Sequence, residues 1–158
     1  MIRLISQFSF NKAVEQRIKN AAKHAVLGVG IGKDAEYPNG VKVETVAFRQ
    51  EFGDGNVPPR PFVRTTVVNK KQDWAESAER KFAKVLKPSS NGSAKTALRA
   101  LGEEMVEDIK RGIEDVVAPP LKPSTVKFKK RKGRKRPDKP LVDSGLLKDS
   151  IKAEVTEG

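Results

Sequence analysis

Residues 93–116 read SAKTALRALGEEMVEDIKRGIEDV. Ala94, Leu98, Leu101, Met105, Ile109, Ile113 and Val116 recur at steps of three and four, which is one apolar stripe along a long α-helix. Ser93 stands where an N-cap hydroxyl accepts a first-turn N–H, and Pro88-Ser-Ser-Asn-Gly92 ahead of it is turn chemistry. Upstream of that turn, Trp74, Ala78, Phe82 and Val85/Leu86 keep the same helical step, with Glu76 and Arg80 paired at i, i+4 on another face. Residues 62–69 lead into this second helix ambiguously. Pro61 suits a first helical turn, but Thr65, Thr66, Val67 and Val68 are β-branched.

Further out, toward the N-terminus, Phe52 to Pro61 holds three prolines and two glycines within FGDGNVPPRP and is expected to be a shaped loop. Val41, Val43 and Thr45 alternate with polar residues and follow the turn Tyr37-Pro-Asn-Gly40. They predict a strand paired as a hairpin with a short strand around Val29 and Ile31. Val14, Ile18, Ala21, Ala22 and Ala25 predict a helix over 11–26, with Gly28 as its C′ residue. Toward the C-terminus, Ala118-Pro-Pro-Leu-Lys-Pro123 stops the long helix and gives an extended segment. Leu141-Val-Asp-Ser-Gly-Leu-Leu147 resumes apolar content, and Ile151 to Val155 alternates as a last strand. The expectation is one α+β domain over 1–158: a small, mostly antiparallel β-sheet with packed α-helices, one long helix and an extended basic loop at about 119–140.

The chain has 158 residues, a hydrophobic fraction of 37% and a net charge of +12. Residues 127–139 alone carry nine Lys/Arg against one Asp, so two thirds of the excess charge sits in a thirteen-residue segment. That distribution fits a basic arm or loop on an ordinary domain better than a basic face spread over a fold. Like charges in a run without apolar periodicity are expected to leave the segment mobile unless bound. With no Cys and one His, disulfide frameworks, thiol nucleophiles, Cys/His zinc sites and most His-based catalysis are excluded. Neither a signal sequence nor an apolar run of spanning length is present, so a soluble chain made in the cytoplasm, without membrane contact, is expected.

Four signals can carry chemistry. Gly28-Val-Gly-Ile-Gly-Lys-Asp34 fails as a phosphate loop, since Leu27 and Asp34 stand where glycine and a hydroxyl are needed. Begun at Gly30, a dinucleotide fingerprint would end on Ala35, but the turn at 37–40 follows where a helix should open. A glycine-containing strand packed on a helix is the better reading. Glu103, Glu104, Glu107 and Asp108 form carboxylate pairs at i, i+4 on the long helix and read as an ion-paired, solvated face rather than an acid/base or metal site. His24 lies near the end of the first helix, where a cation meets the helix dipole. Lys127, Lys129, Lys130, Arg131, Lys132, Arg134, Lys135, Arg136 and Lys139 can contact DNA or an acidic partner, or form a solvated tether; only Phe128 among them could stack on a base.

Val29-Gly-Ile-Gly, then Ala47-Phe-Arg-Gln-Glu-Phe-Gly53, then Val57-Pro-Pro-Arg-Pro-Phe-Val63, then Leu121-Lys-Pro-Ser-Thr-Val126 and Lys139-Pro-Leu-Val-Asp-Ser-Gly-Leu-Leu-Lys-Asp-Ser-Ile151 occur in this order. Together they resemble the tail-completion, or virion-morphogenesis, neck proteins of tailed bacteriophages. That family shows a glycine-rich strand, an EFG strand end, an IPxRPF loop, and LxxST with basic residues ahead of PLxDTGxLxxSI. Val57 stands here for the usual Ile and Ser144 for the usual Thr, both conservative changes. The resemblance covers residues 29–151; the N-terminal extension before residue 11 has no counterpart in it. It implies an α+β fold and a structural virion protein without catalysis or cofactor. It also implies a homo-oligomeric ring, commonly a hexamer, between the head connector or adaptor and the tail terminator or tube, where the basic segment could contact packaged DNA.

On that reading Phe52, Gly53, Pro59, Arg60, Pro61, Phe62, Asp143, Gly145 and Leu146 are interface candidates. The prolines stiffen a loop that either presents Arg60 and Phe62 to a partner or turns Phe62 into the core. Asp143 or Ser144 is expected to cap a short helix starting near Gly145, with Leu141, Leu146 and Leu147 closing over the core. The helical stripes suffice for one monomer core and leave no further long stripe, so the isolated chain is expected to associate weakly. The competing reading is a small DNA-binding protein acting through its basic arm, and a metal-dependent nuclease or hydrolase ranks third.

Overall fold

The fold is described from a computed structural model over residues 25–157, apart from 33, 86 and 88–90, together with Lys12 and Gln16. Its elements in chain order are β1 (Ala25–Ile31), α1 (Val43–Phe52), α2 (Phe62–Val85), α3 (Ala94–Asp115), α4 (Pro123–Arg131), α5 (Leu146–Asp149) and β2 (Ile151–Glu157). The two strands pair antiparallel, giving a small α+β fold dominated by helix. Lys12 and Gln16 are helical and exposed. The rest of the helix expected over 11–26, His24 included, lies outside the described residues, while Ala25 and Val26 belong to β1. Gly28 is therefore a strand residue and not a helix C′ residue.

Over the described residues the chain divides into two compact units of interleaved segments, one from 31–66 and 108–151, the other from 25–30, 67–107 and 152–157. In the second unit, Trp74, Ala78 and Phe82 of α2 and Leu101 and Met105 of α3 are buried as the two stripes require, joined by Ala75, Ala97 and Val106 from outside the stripes, while Val85, Ala94 and Leu98 are half-buried and Leu86 lies outside the described residues. Gly102 is there for close approach. A Cβ on it would lie 2.7 Å from Ala153 Cβ of β2 and 2.8 Å from Leu27 Cδ1 of β1, so only glycine lets α3 lie this near the sheet. Ser93 caps α3 as expected, its Oγ accepting the Thr96 N–H at 3.2 Å. The long-helix carboxylates are a charged face: Glu104 accepts from Lys81 Nζ at 2.6 Å and from Ser77 Oγ. Burial alone would raise the Glu104 pKa, but the hydrogen bonds from Lys81 and Ser77, with the Lys81 charge, hold it below the usual range. Arg111 pairs with Asp108 at 3.6 Å.

In the first unit the core is Val43 and Ala47 of α1, Phe62 of α2, Ile109 and Ile113 of α3, Pro140, Leu147 of α5 and Ile151. Here the structure corrects the expected second strand: Val43 to Phe52 is a helix, and the anticipated hairpin shrinks to one antiparallel bridge between Glu36 and Lys42 across the 37–40 turn. Val43, Ala47 and Glu51 are the buried positions, at i, i+4 and i+8, so the burial period is helical although Val43, Thr45 and Val46 are β-branched. The EFG motif accordingly ends a helix and not a strand, with Gly53 taking φ +79° at its C-cap. The turn at 37–40 holds, closed by Gly40 N–H to Tyr37 C=O at 2.8 Å. α1 packs against the short α5.

Candidate functional site: the proline loop and the basic helix

Glu51 organises the proline loop. It is 2% exposed, and its carboxylate accepts the backbone N–H groups of Val63 and Arg64, each at 2.9 Å. These are first-turn donors of α2 that have no partner within their own helix. The same carboxylate holds Arg64 Nε at 3.0 Å, while the Arg64 Nη2 donates to the Glu51 backbone carbonyl at 2.7 Å. This tertiary cap resolves the ambiguity at 62–69 in favour of helix. Thr66 Oγ1 meanwhile donates back to Phe62 C=O at 2.7 Å, so its buried hydroxyl is satisfied.

The loop between α1 and α2 does not present Arg60 and Phe62 outward, which corrects the interface expectation for both. Phe62 is 1% exposed and Arg60 4% exposed. Arg60 Nε donates to Pro119 C=O at 2.8 Å, Nη2 to Pro120 C=O at 3.1 Å and Nη1 to Gln50 Oε1 at 3.2 Å. A Pro-Pro turn offers carbonyls but few N–H groups, so its acceptors need a donor from elsewhere, and the guanidinium fork supplies two. Burial lowers the Arg60 pKa from its ordinary value. Pro59 stays exposed, and Pro61 is half-buried. Gly53 packs against Pro59, where a Cβ would come within 3.0 Å of Pro59 Cδ. Phe52 is exposed; its ring lies 4.7 Å from that of Phe48 and carries the Arg64 guanidinium at 4.6 Å from its centroid.

The basic segment is a second correction, because its first half is helix α4 and not an extended loop. Pro123 starts the helix at a position that needs no N–H, and Gly133, at φ +66°, ends it. Gly133 N–H bonds to Lys130 C=O at 2.9 Å and Arg134 N–H to Lys129 C=O at 3.1 Å, the Schellman pattern. Lys129 is 5% exposed, and its Nζ donates to Lys139 C=O at 2.7 Å and Val142 C=O at 2.6 Å, fastening the irregular return strand to the helix. Its pKa is lowered, chiefly by burial. Arg134 grips Asp143 through two bonds of 3.0 and 3.2 Å, and Lys139 Nζ donates to Glu114 C=O at 3.0 Å. Asp143 is thus the partner of a loop arginine and not the cap of α5. Ser144 Oγ accepts the Leu146 N–H at 3.3 Å, and Gly145 takes φ +93° at the helix start. Leu147 is buried, with Leu141 and Leu146 half-buried.

Lys129, Arg134 and Lys139 are therefore spent inside the chain, whereas Lys127, Lys130, Arg131, Lys132, Lys135 and Arg136 are exposed. Residues 133–136, Glu114 and Lys148 together line a cavity of about 330 Å³. Lys148 and Arg136 both pair with Glu114, and this hydrogen bond from Lys148 is the main reason its carboxylate pKa is lowered. Both carboxylates that line the cavity, Glu114 and Asp143, are thus engaged by its cations. Among the described residues no group of three or more His, Asp or Glu is placed to hold a metal, and no helix is long and apolar enough to cross a membrane. Gly28 and Gly30 lie in β1 and Gly32 just after it, with Val29 and Ile31 buried; Asp34 lies in a turn.

Replacing Lys129 by Met is expected to cost about 2–3 kcal/mol, since two carbonyls of half-buried residues lose their charged donor. Limited trypsin digestion should show cleavage between Lys130 and Lys139 accelerating in this variant relative to the parent. Equal cleavage rates would mean that the staple does not hold the loop. Comparison of the chain with protein-family models, with curated proteins and with solved structures finds no match.

Proposed function

We propose that this protein is a structural component of the neck of a tailed phage virion. In this reading, copies of the chain form a ring that completes the tail and joins it to the head connector. The ordered motif resemblance over 29–151 suggests the reading. The observation that carries it is how those motif residues are used. Glu51 of EFG caps the helix that follows the PPRPF loop, Arg60 of that loop clamps Pro119 and Pro120 ahead of LKPST, and Asp143 of PLVDSG holds Arg134. Three separated segments thus brace one another within one unit, and in the same unit the PLVDSG segment holds the turn after α4, so these motif residues have architectural roles.

Disrupting the gene in a producing phage should give filled heads and separate tails that do not join. Antibody labelling of intact virions should place the chain at the head-to-tail junction. Complete virions formed without the chain, or its absence from purified particles, would overturn the assignment.

A further inference from the structure

Five acidic side chains of the first unit, Glu51, Asp54, Asp108, Glu114 and Asp143, are committed to a cation, while one group of cations has no such partner among the described residues. Arg49, Arg64, Arg111, Arg134, Arg136 and Lys148 each meet a carboxylate. Lys127, Lys130, Arg131, Lys132 and Lys135 are exposed, and among the described residues no carboxylate pairs with them. Lys127, Lys130 and Arg131 stand at i, i+3 and i+4 and share one face of α4. At 100° per residue the buried Lys129 points to the opposite side. The interior staple, the Gly133 stop and the Arg134–Asp143 clamp fix the backbone on which these five charges sit.

We propose that this face of α4 and the turn after it are a docking surface for duplex DNA, held through its phosphates without sequence preference. Five like charges within nine residues concentrate positive potential that only a dense polyanion relieves, and duplex DNA carries one charge per about 1.7 Å of axis. Four of the five are lysines, which act as point charges and not as base-reading forks. No Asn or Gln follows Asn91 in the chain, so the amide side chains that read adenine are absent from this surface. Single strands are disfavoured as occupant, because they need several free aromatic platforms. Phe128 is the one ring here, and the Lys132 ammonium already covers it at 4.7 Å. The surface is ordered before binding, so little backbone entropy is lost on contact. None of this depends on the neck assignment.

The test is fluorescence anisotropy of the full chain on a labelled ~30-bp duplex, from about 50 to about 200 mM salt. Five phosphate contacts predict a slope of log K against log salt near about −4.5, and roughly a 500-fold loss of affinity over that range. The variant Lys127→Gln, Lys130→Gln, Arg131→Gln, Lys132→Gln, Lys135→Gln should flatten the slope nearly to zero with an unchanged melting curve. A matched control, Lys71→Gln, Lys84→Gln, Lys87→Gln, Arg99→Gln, Lys152→Gln, removes as much charge from exposed positions elsewhere and should keep the slope. If the first variant melts early, the pair Lys130→Glu, Lys135→Glu replaces it, and its slope should fall by at least about two. Equal loss in variant and control, tighter binding of a single strand, or equal competition by a polyglutamate of matched charge would overturn the proposal, the last by assigning the face to an acidic protein. These results are read on the purified chain, so they fail or succeed separately from its place in a virion.

Discussion

Phe62→Ala is expected to destabilise the protein by about 3–5 kcal/mol, the range for emptying a large aromatic site in a close-packed interior. Phe62 is 1% exposed and is, with Trp74, among the largest fully buried side chains of the chain. It opens α2 directly after Pro61, so truncation removes the apolar anchor that sets where the helix starts. A domain of this size holds only about 5–15 kcal/mol in total, so the loss is a large share of it. Urea titration followed by circular dichroism should show the midpoint falling with little change in slope. The result bears on function as well. Were Phe62 an interface anchor, its removal would leave the melt intact and abolish joining only. A Phe62→Ala chain within about 1 kcal/mol of the parent would show that the residue is not core in solution. Arg60→Ala should fail for a different reason, because the Pro119 and Pro120 carbonyls would lose their donors.

What the sequence shows of this fold depends on whether the determinant is local. The stripes through Trp74 and through Leu101 are legible because one amphipathic face fixes both the helix and its burial. The Ser93 cap, the 37–40 turn and the last strand are local in the same sense. The reading of 41–45 as a strand fails because the residue that completes the helical period of α1 is Glu51, and no periodicity argument counts a carboxylate as buried. Its burial becomes intelligible only with the N–H groups of Val63 and Arg64 in place. The basic segment hides its helix in a similar way. Lys129 is an interior residue there, and charge density masks the ordinary signals of Pro123 at the start and Gly133 at the stop. The proline loop was legible as rigid, but its direction was not, since that is set by Arg60 finding carbonyls 59 and 60 residues away. Of the site candidates, sequence identified the basic residues as a group; only the structure separates the three used as internal fasteners from those left exposed.

Glu51→Ala is expected to cost about 3 kcal/mol, more than the side chain's apolar area could explain. Two contributions combine. Charge-assisted hydrogen bonds to a buried carboxylate are worth about 1.5–3 kcal/mol each, and their loss leaves two first-turn N–H groups of α2 without acceptors. The ion pair with Arg64 adds little, because that guanidinium is 54% exposed and water competes for it. The two parts are separable. Arg64→Ala removes the ion pair and keeps the cap, and should cost no more than about 1 kcal/mol. Glu51→Gln keeps the shape but turns an amide NH₂ toward one of the backbone donors, so it should fall much closer to Glu51→Ala than to the parent. Hydrogen exchange gives the sharper readout, since the Val63 and Arg64 amides should lose protection in both Glu51 variants while amides in the middle of α3 lose only what the global destabilisation takes. If Glu51→Ala and Arg64→Ala instead prove equally costly, and the two amides exchange alike in both, the interaction is an ordinary surface ion pair. The helical start of α2 must then be held by Phe62 and the proline loop alone.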